Sequence, residues 1–141
     1  MSLTLKQANE NVAAALAHGA SLQGSPISVA VLDAGGHLLA FQRQDGSSNL
    51  RPQIAIAKAA GTLALGLPSR KIAEIAQAAP ATIASLATLS GGGLVPSPGG
   101  VIVVDDKGAS IGAVGVTGDT PDNDELCAIA GVKSAGLAIR C

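Results

Sequence analysis

Two stretches of this chain share one grammar. ISVAVLDAGGHLLAFQR (27–43) and VIVVDDKGASIGAVGV (101–116) each run from β-branched residues through an Asp/Gly turn into a second β-rich run. Each reads as a β-hairpin, the Gly supplying the positive φ that a tight turn needs. A lone hairpin is marginal in water, so the pair implies a single antiparallel sheet that buries a face under helices. Thr4 and Gln7 form a capping box ahead of a helix over 5–18, with Leu5, Val12 and Leu16 at helical intervals and Gly19 as its expected stop. Pro52 suits the first turn of a helix through IAIAKAAGTLALG. Ser69 can cap RKIAEIAQ, and Pro80 opens a short helix. SGGGLVPSPGG, with seven Gly or Pro in eleven residues, tolerates no regular element. DNDELCAIAGVKSAGLAI then reads as a last helix that Asp122 or Asn123 can cap. The order α, hairpin, helices, hairpin, α gives an α+β class, and no linker divides residues 1–141.

Composition narrows the partners. Hydrophobic residues are 48% and charged residues 13%, a balance that favours covering surface in a homo-oligomer; the competing reading is that alanine inflates the hydrophobic count. Phe41 is the only aromatic residue, and the formal net charge is −1, so neither base stacking nor phosphate-backbone attraction is provided for and no nucleic-acid partner is expected. No apolar run of about 18 residues predicts a membrane span. The first residues read as a helix and not as a signal peptide, which makes a cytoplasmic location the expectation. Cys127 and Cys141 form neither a disulfide framework nor a metal spacing.

The motifs, taken in order, are similar to those of the GlcG/HbpS family. ISVAVLDAGGHLLAFQRQDG resembles its signature hairpin, and IAIAKAAGTLALG, SGGGLVPSPGG and IGAVGVTGDTPDNDELCAIAG match its remaining landmarks in sequence. The resemblance implies a profilin-like fold, an antiparallel sheet of about five strands flanked by helices, assembled as hexamers or octamers. It also implies haem or a related tetrapyrrole as a ligand, since some members bind haem, while others accompany catabolic operons without a settled chemistry. Fold transfers along such a resemblance better than function does.

Haem ligation needs an axial donor, most often His, and the chain has two. His18 ends the first helix, where the simpler role is to complement the helix C-terminus; His37 lies at the first hairpin turn, where it can be merely solvated. The resemblance favours His18, because haem-binding members are held to ligate through this amino-terminal region. Gly91, Gly92 and Gly93, and then Gly99 and Gly100, can expose backbone N–H groups to an anion, or serve only as a flexible connection; they fit neither a Walker nor a Rossmann motif. Arg43, Arg51 and Lys58, with Asp45 nearby, can grip a carboxylate, or be solvated surface charges. Asp119, Asp122, Asp124 and Glu125 precede the last helix without calcium-loop spacing and read as helix-start acids, so no metal is expected. Cys127, in the second turn of that helix, reads as a small buried core residue, the competing reading being a thiol of lowered pKa.

Two functions therefore compete, beside a third reading as a purely structural or accessory oligomer with no pocket. One is an oligomeric binding module for haem or a related tetrapyrrole. The other is a catabolic enzyme of lyase or isomerase type, moving a proton on a small organic acid or carbonyl compound at a subunit-boundary pocket where the cations meet Gly91–Gly93. No catalytic residue can be named, because no nucleophile–base signature stands out.

Overall fold

The computed structural model describes residues 2–140. Cys141 lies outside the described residues. Helix α1 (Leu5–Ser21) is followed by strands β1 (Ser28–Asp33) and β2 (Leu38–Arg43), then helices α2 (Arg51–Leu65), α3 (Ser69–Ala78) and α4 (Pro80–Leu89). Strands β3 (Gly100–Val104) and β4 (Ser110–Thr117), helix α5 (Pro121–Ser134) and the short strand β5 (Ala138–Ile139) complete the chain. The five strands form one sheet in the order β2-β1-β4-β3-β5, antiparallel at every pairing.

Alternation along the strands sorts side chains onto two faces. Val29, Val31, Val101, Val103, Val114 and Val116 point to the face covered by α1 and α5, where they meet Val12, Ala15, Cys127, Ala128 and Val132. Leu32 and Ala113 point the other way, onto Ala59 of α2. A third cluster, Ile72, Ile83 and Leu94, fills the space beneath α3 and α4. Among the described residues no helix is long and apolar enough to cross a membrane.

The two hairpins repeat in atomic detail. Asp33 Oδ1 accepts from the N–H groups of Gly35 and His37, and Asp105 Oδ1 accepts from those of Lys107 and Ala109. Gly36 and Gly108 take the left-handed position at φ 84° and 80°. Each pairing also shifts register beside its turn, between Val31 and Leu32 and between Val103 and Val104.

Four local expectations need correction. Gly19 does not stop α1, which continues to Ser21; a Cβ there would stand 3.0 Å from Ile27 Cδ1 and 3.5 Å from Cys127 Sγ, so this glycine serves helix packing. The cap of α5 is Thr120, whose hydroxyl accepts from Asn123 N, and not Asp122 or Asn123. That helix ends at Ser134, and Ala138–Ile139, read from sequence as its last turn, forms an edge strand on β3. Ser69 lies inside the first turn of α3 and is buried, its hydroxyl accepting from Gly100 N at 2.7 Å. The capping box at Thr4 and Gln7 is present as expected.

Candidate functional site

The sheet has two unlike ends. One carries the hairpin tips. At the other, β1 begins at Ser28, β2 ends at Arg43, β3 begins at Gly100 and β4 ends at Thr117. There the starts of α2 and α5 converge, and with them most of the chain's interior charge.

Lys58 reaches this end from within α2. Its Nζ donates to Val116 O at 3.0 Å and stands 3.2 Å from Asp124 Oδ2 of α5, with both side chains buried. The other oxygen of Asp124 accepts from Asp119 N at 3.0 Å. Burial pushes the Lys58 ammonium down from the ordinary lysine range and the Asp124 carboxyl up from the ordinary carboxylate range, each against the pull of its partner. Asp119 is held low, chiefly by the Asn123 side-chain amide and then by the Thr120 N–H.

The approach of α2 depends on missing side chains in the strands beneath it. A Cβ on Gly100 would collide with Lys58 O, and one on Gly115 with Ala55 O. Of the glycine-rich segment, the glycines beside Lys58 are thus Gly99 and Gly100, and not Gly91–Gly93. Those three donate their N–H groups to Thr88 O, Ala87 O and Ser90 O, closing the end of α4. Groups so engaged leave no nest for an anion.

Arg51, the first residue of α2, sits differently from Lys58. Its Nη1 donates to Thr117 Oγ1 at 2.9 Å and its Nε to Ser48 Oγ at 3.2 Å. Among the described residues it has no carboxylate partner. Arg43 is exposed and lies in the same register row as Ser28 and Thr117. The expected cationic trio is therefore divided: Lys58 is spent on Asp124, Arg51 touches only hydroxyls, and Arg43 is at the rim.

The histidines lie elsewhere. His37 is at a hairpin tip, its ring 81% exposed and its Nδ1 3.2 Å from Asp33 Oδ1. His18 is in the last turn of α1, half-buried; its carbonyl accepts from Leu22 N and Ser21 Oγ. Its ring makes no hydrogen bond or ion pair among the described residues. An open cavity of about 370 Å³ begins at the next residue, lined by Gly19, Ala20, Gly24, Pro26, Gln44 and Asp45 among others, and His18 is not part of its lining.

Sequence reasoning missed Asp124 and Arg70 as partners. The Arg70 guanidinium bonds Glu125 from Nε at 3.0 Å and Asp122 from Nη2 at 2.5 Å, so these two acids at the start of α5 are used in ion pairing. No cluster of three or more His, Cys, Asp or Glu able to hold a metal is present among the described residues. Ser28 and Thr117 were also missed. A Ser or Thr at the open end of a strand is the available signal, and it is weak without the register.

The fold has close counterparts. The structure of a PduOC:heme complex superposes with a TM-score of 0.88 at 21% identity, covering 100% of both chains. Klebsiella pneumoniae protein ORFY gives 0.86 at 25% identity, over 95% of this chain and 90% of its own. HbpS gives 0.81 at 30% identity, over 94% of this chain and 89% of its own. No curated protein matches the sequence. The family model described as haem degrading protein HbpS-like matches residues 3–133. With that match spanning nearly all of it, and with HbpS alike in fold and in 30% of aligned residues, the chain belongs to the HbpS-like family.

Proposed function

We propose that this protein binds haem or a related tetrapyrrole, with His18 as the axial donor, in a homo-oligomer. Family membership and a fold neighbour solved with haem supply the ligand class. The observation that carries the choice of residue is the half-buried His18, whose ring has no hydrogen-bond partner among the described residues, set against a His37 that stands 81% exposed at a hairpin tip. An axial imidazole needs a free nitrogen lone pair and a wall for the macrocycle. The cavity on one chain is open on one side. A second copy would close it, and the strongly exposed Leu5, Leu50 and Leu89 supply apolar surface for such contacts. Bound haem would supply the iron chemistry; this chain's part is to ligate and to exclude water.

Hemin titration followed by absorbance tests the reading on the wild type, His18→Ala and His37→Ala, with the mass of each sample read by light scattering. The expected result is a saturable Soret shift, weakened at least tenfold in His18→Ala and retained in His37→Ala, on an oligomeric mass. Weak uptake equal in all three proteins would remove haem, and a single-chain mass would remove the oligomer.

A further inference from the structure

Arg51 is a half-buried guanidinium whose recorded partners are neutral hydroxyls. Of its five N–H donors two are engaged, and the fork of the remaining donors matches a carboxylate. Beside it, Ser28 is fully buried, and its Oγ has no hydrogen-bond partner. Ser28 and Thr117 are cross-strand partners, so their side chains leave the same face of the sheet side by side. Thr117 Oγ1 is the atom that Arg51 Nη1 holds. The orphaned hydroxyl therefore borders the guanidinium. A second orphan, Ser47 Oγ, adjoins Ser48, the other hydroxyl that Arg51 engages. Helix α2 starts at this point with no side-chain cap, so its positive dipole end faces the same place.

Each feature alone has a simple explanation, an ordered water for the hydroxyls above all. Together they leave a fixed cation, an uncapped helix start and two buried hydroxyls with no negative charge between them. A buried hydroxyl without a partner is destabilising, and a cation with only neutral acceptors forgoes its strongest bonds.

We infer that Arg51, Ser28 and Thr117 form a binding site for the carboxylate group of a small organic acid. The anion accepts from the Arg51 fork and from the Ser28 hydroxyl, and the Ser48 and Thr117 hydroxyls hold the guanidinium in plane. Ser28 Oγ and Ser47 Oγ are both buried, which suits the carboxylate of a small molecule and not a macrocycle. The site is on the α2 face of the sheet, apart from His18 on the other face, and does not depend on the haem reading.

The test uses the full chain and acetate as probe. Backbone amide shifts are followed by NMR during titration with sodium acetate against sodium chloride at equal ionic strength, up to tens of millimolar. Saturable shifts confined to the neighbourhood of Ser28, Arg51 and Thr117, at least tenfold weaker in Arg51→Gln, support the site. In Ser28→Ala the acetate-free protein is expected to melt higher, because an orphaned hydroxyl is gone, while its acetate affinity falls several-fold. Absence of acetate-specific saturation overturns the inference. So does binding unchanged in Arg51→Gln, and so does Ser28→Ala melting higher with acetate affinity intact, which marks Ser28 as a water site only.

Discussion

Two cations tie the start of α5 to the helices beside it, and they do so in opposite media. Lys58 meets Asp124 with side-chain exposures of 4% and 2%; Arg70 meets Asp122 and Glu125 with exposures of 43%, 79% and 19%. The outer pairing has better hydrogen-bond geometry, with two guanidinium nitrogens on two carboxylates. In high dielectric, however, such contacts contribute little. The inner pairing is a single ammonium on a single oxygen, and desolvation opposes it from both sides. Its importance lies in what happens when it is broken, since each charge has lost water and then keeps only a single neutral backbone group, Val116 O for Lys58 and Asp119 N for Asp124. Good geometry outside and poor geometry inside thus give the reverse of their apparent ranking.

The largest effect expected from this contrast is in Lys58→Met. It should cost about 3–5 kcal/mol in urea unfolding, the usual penalty for one uncompensated buried charge. Lys58→Met with Asp124→Asn should recover most of that loss, because Asn keeps an acceptor for Asp119 N and carries no charge. A double variant as unstable as the single one would show that packing, not charge, sets the penalty.

Cys127, within α5 beyond Asp124, reads the same interior at high pH. Burial first, then the charges of Asp124 and Asp119, push its thiol up from 9.0 to about 11. The unfolded thiol loses its proton from about pH 9 while the folded one keeps it, so the native state binds more protons and stability falls between pH 9 and 11. Comparing unfolding of wild type with Cys127→Ala should show the gap between them narrowing over that window by about 2 kcal/mol. A gap independent of pH would mean that Asp124 and burial do not act on the thiol as drawn.

The smallest effect is expected at the outer pair. Arg70→Ala should lose no more than about 1 kcal/mol, and that loss should shrink further in 1 M salt. A larger, salt-independent loss would place the value of Arg70 in its stem, which lies against a pocket floored by Val101, Ile129 and Ile139.

These contrasts also show which parts of the molecule its sequence discloses. The twin hairpins were legible because their information is local: an Asp, a Gly two or three residues later, and alternation on both sides. The Thr4 capping box was legible for the same reason. Thr120 has its own local signal, a Thr before a Pro at the helix start, but the polar residues after it draw the cap assignment two or three residues too far. Gly19 carried two opposite meanings, helix stop and close contact, and only Ile27 and Cys127 decide between them. The two-residue strand β5 is too short to show alternation, so its apolar residues read as helix. Among the site residues, Arg51 and Lys58 look equivalent as cations near one loop. The distinction rests on Asp124, 66 residues from Lys58, and on a strand register that sets Thr117 beside Ser28. Gly91–Gly93 resembled an anion cradle because a helix stop and a nest draw on the same residue.

Helix α2 rests its backbone on Gly100 and Gly115. That seating makes the two positions a shared foundation for otherwise separate devices, the buried pair at Lys58 and the arginine at the helix start. Their alphabet has one letter. Even alanine at either place would lift the helix as a rigid rod, displacing Lys58 from Asp124 and Arg51 from Thr117 in one movement. A change that adds only an uncharged methyl group would thus register as a simultaneous electrostatic lesion at two addresses.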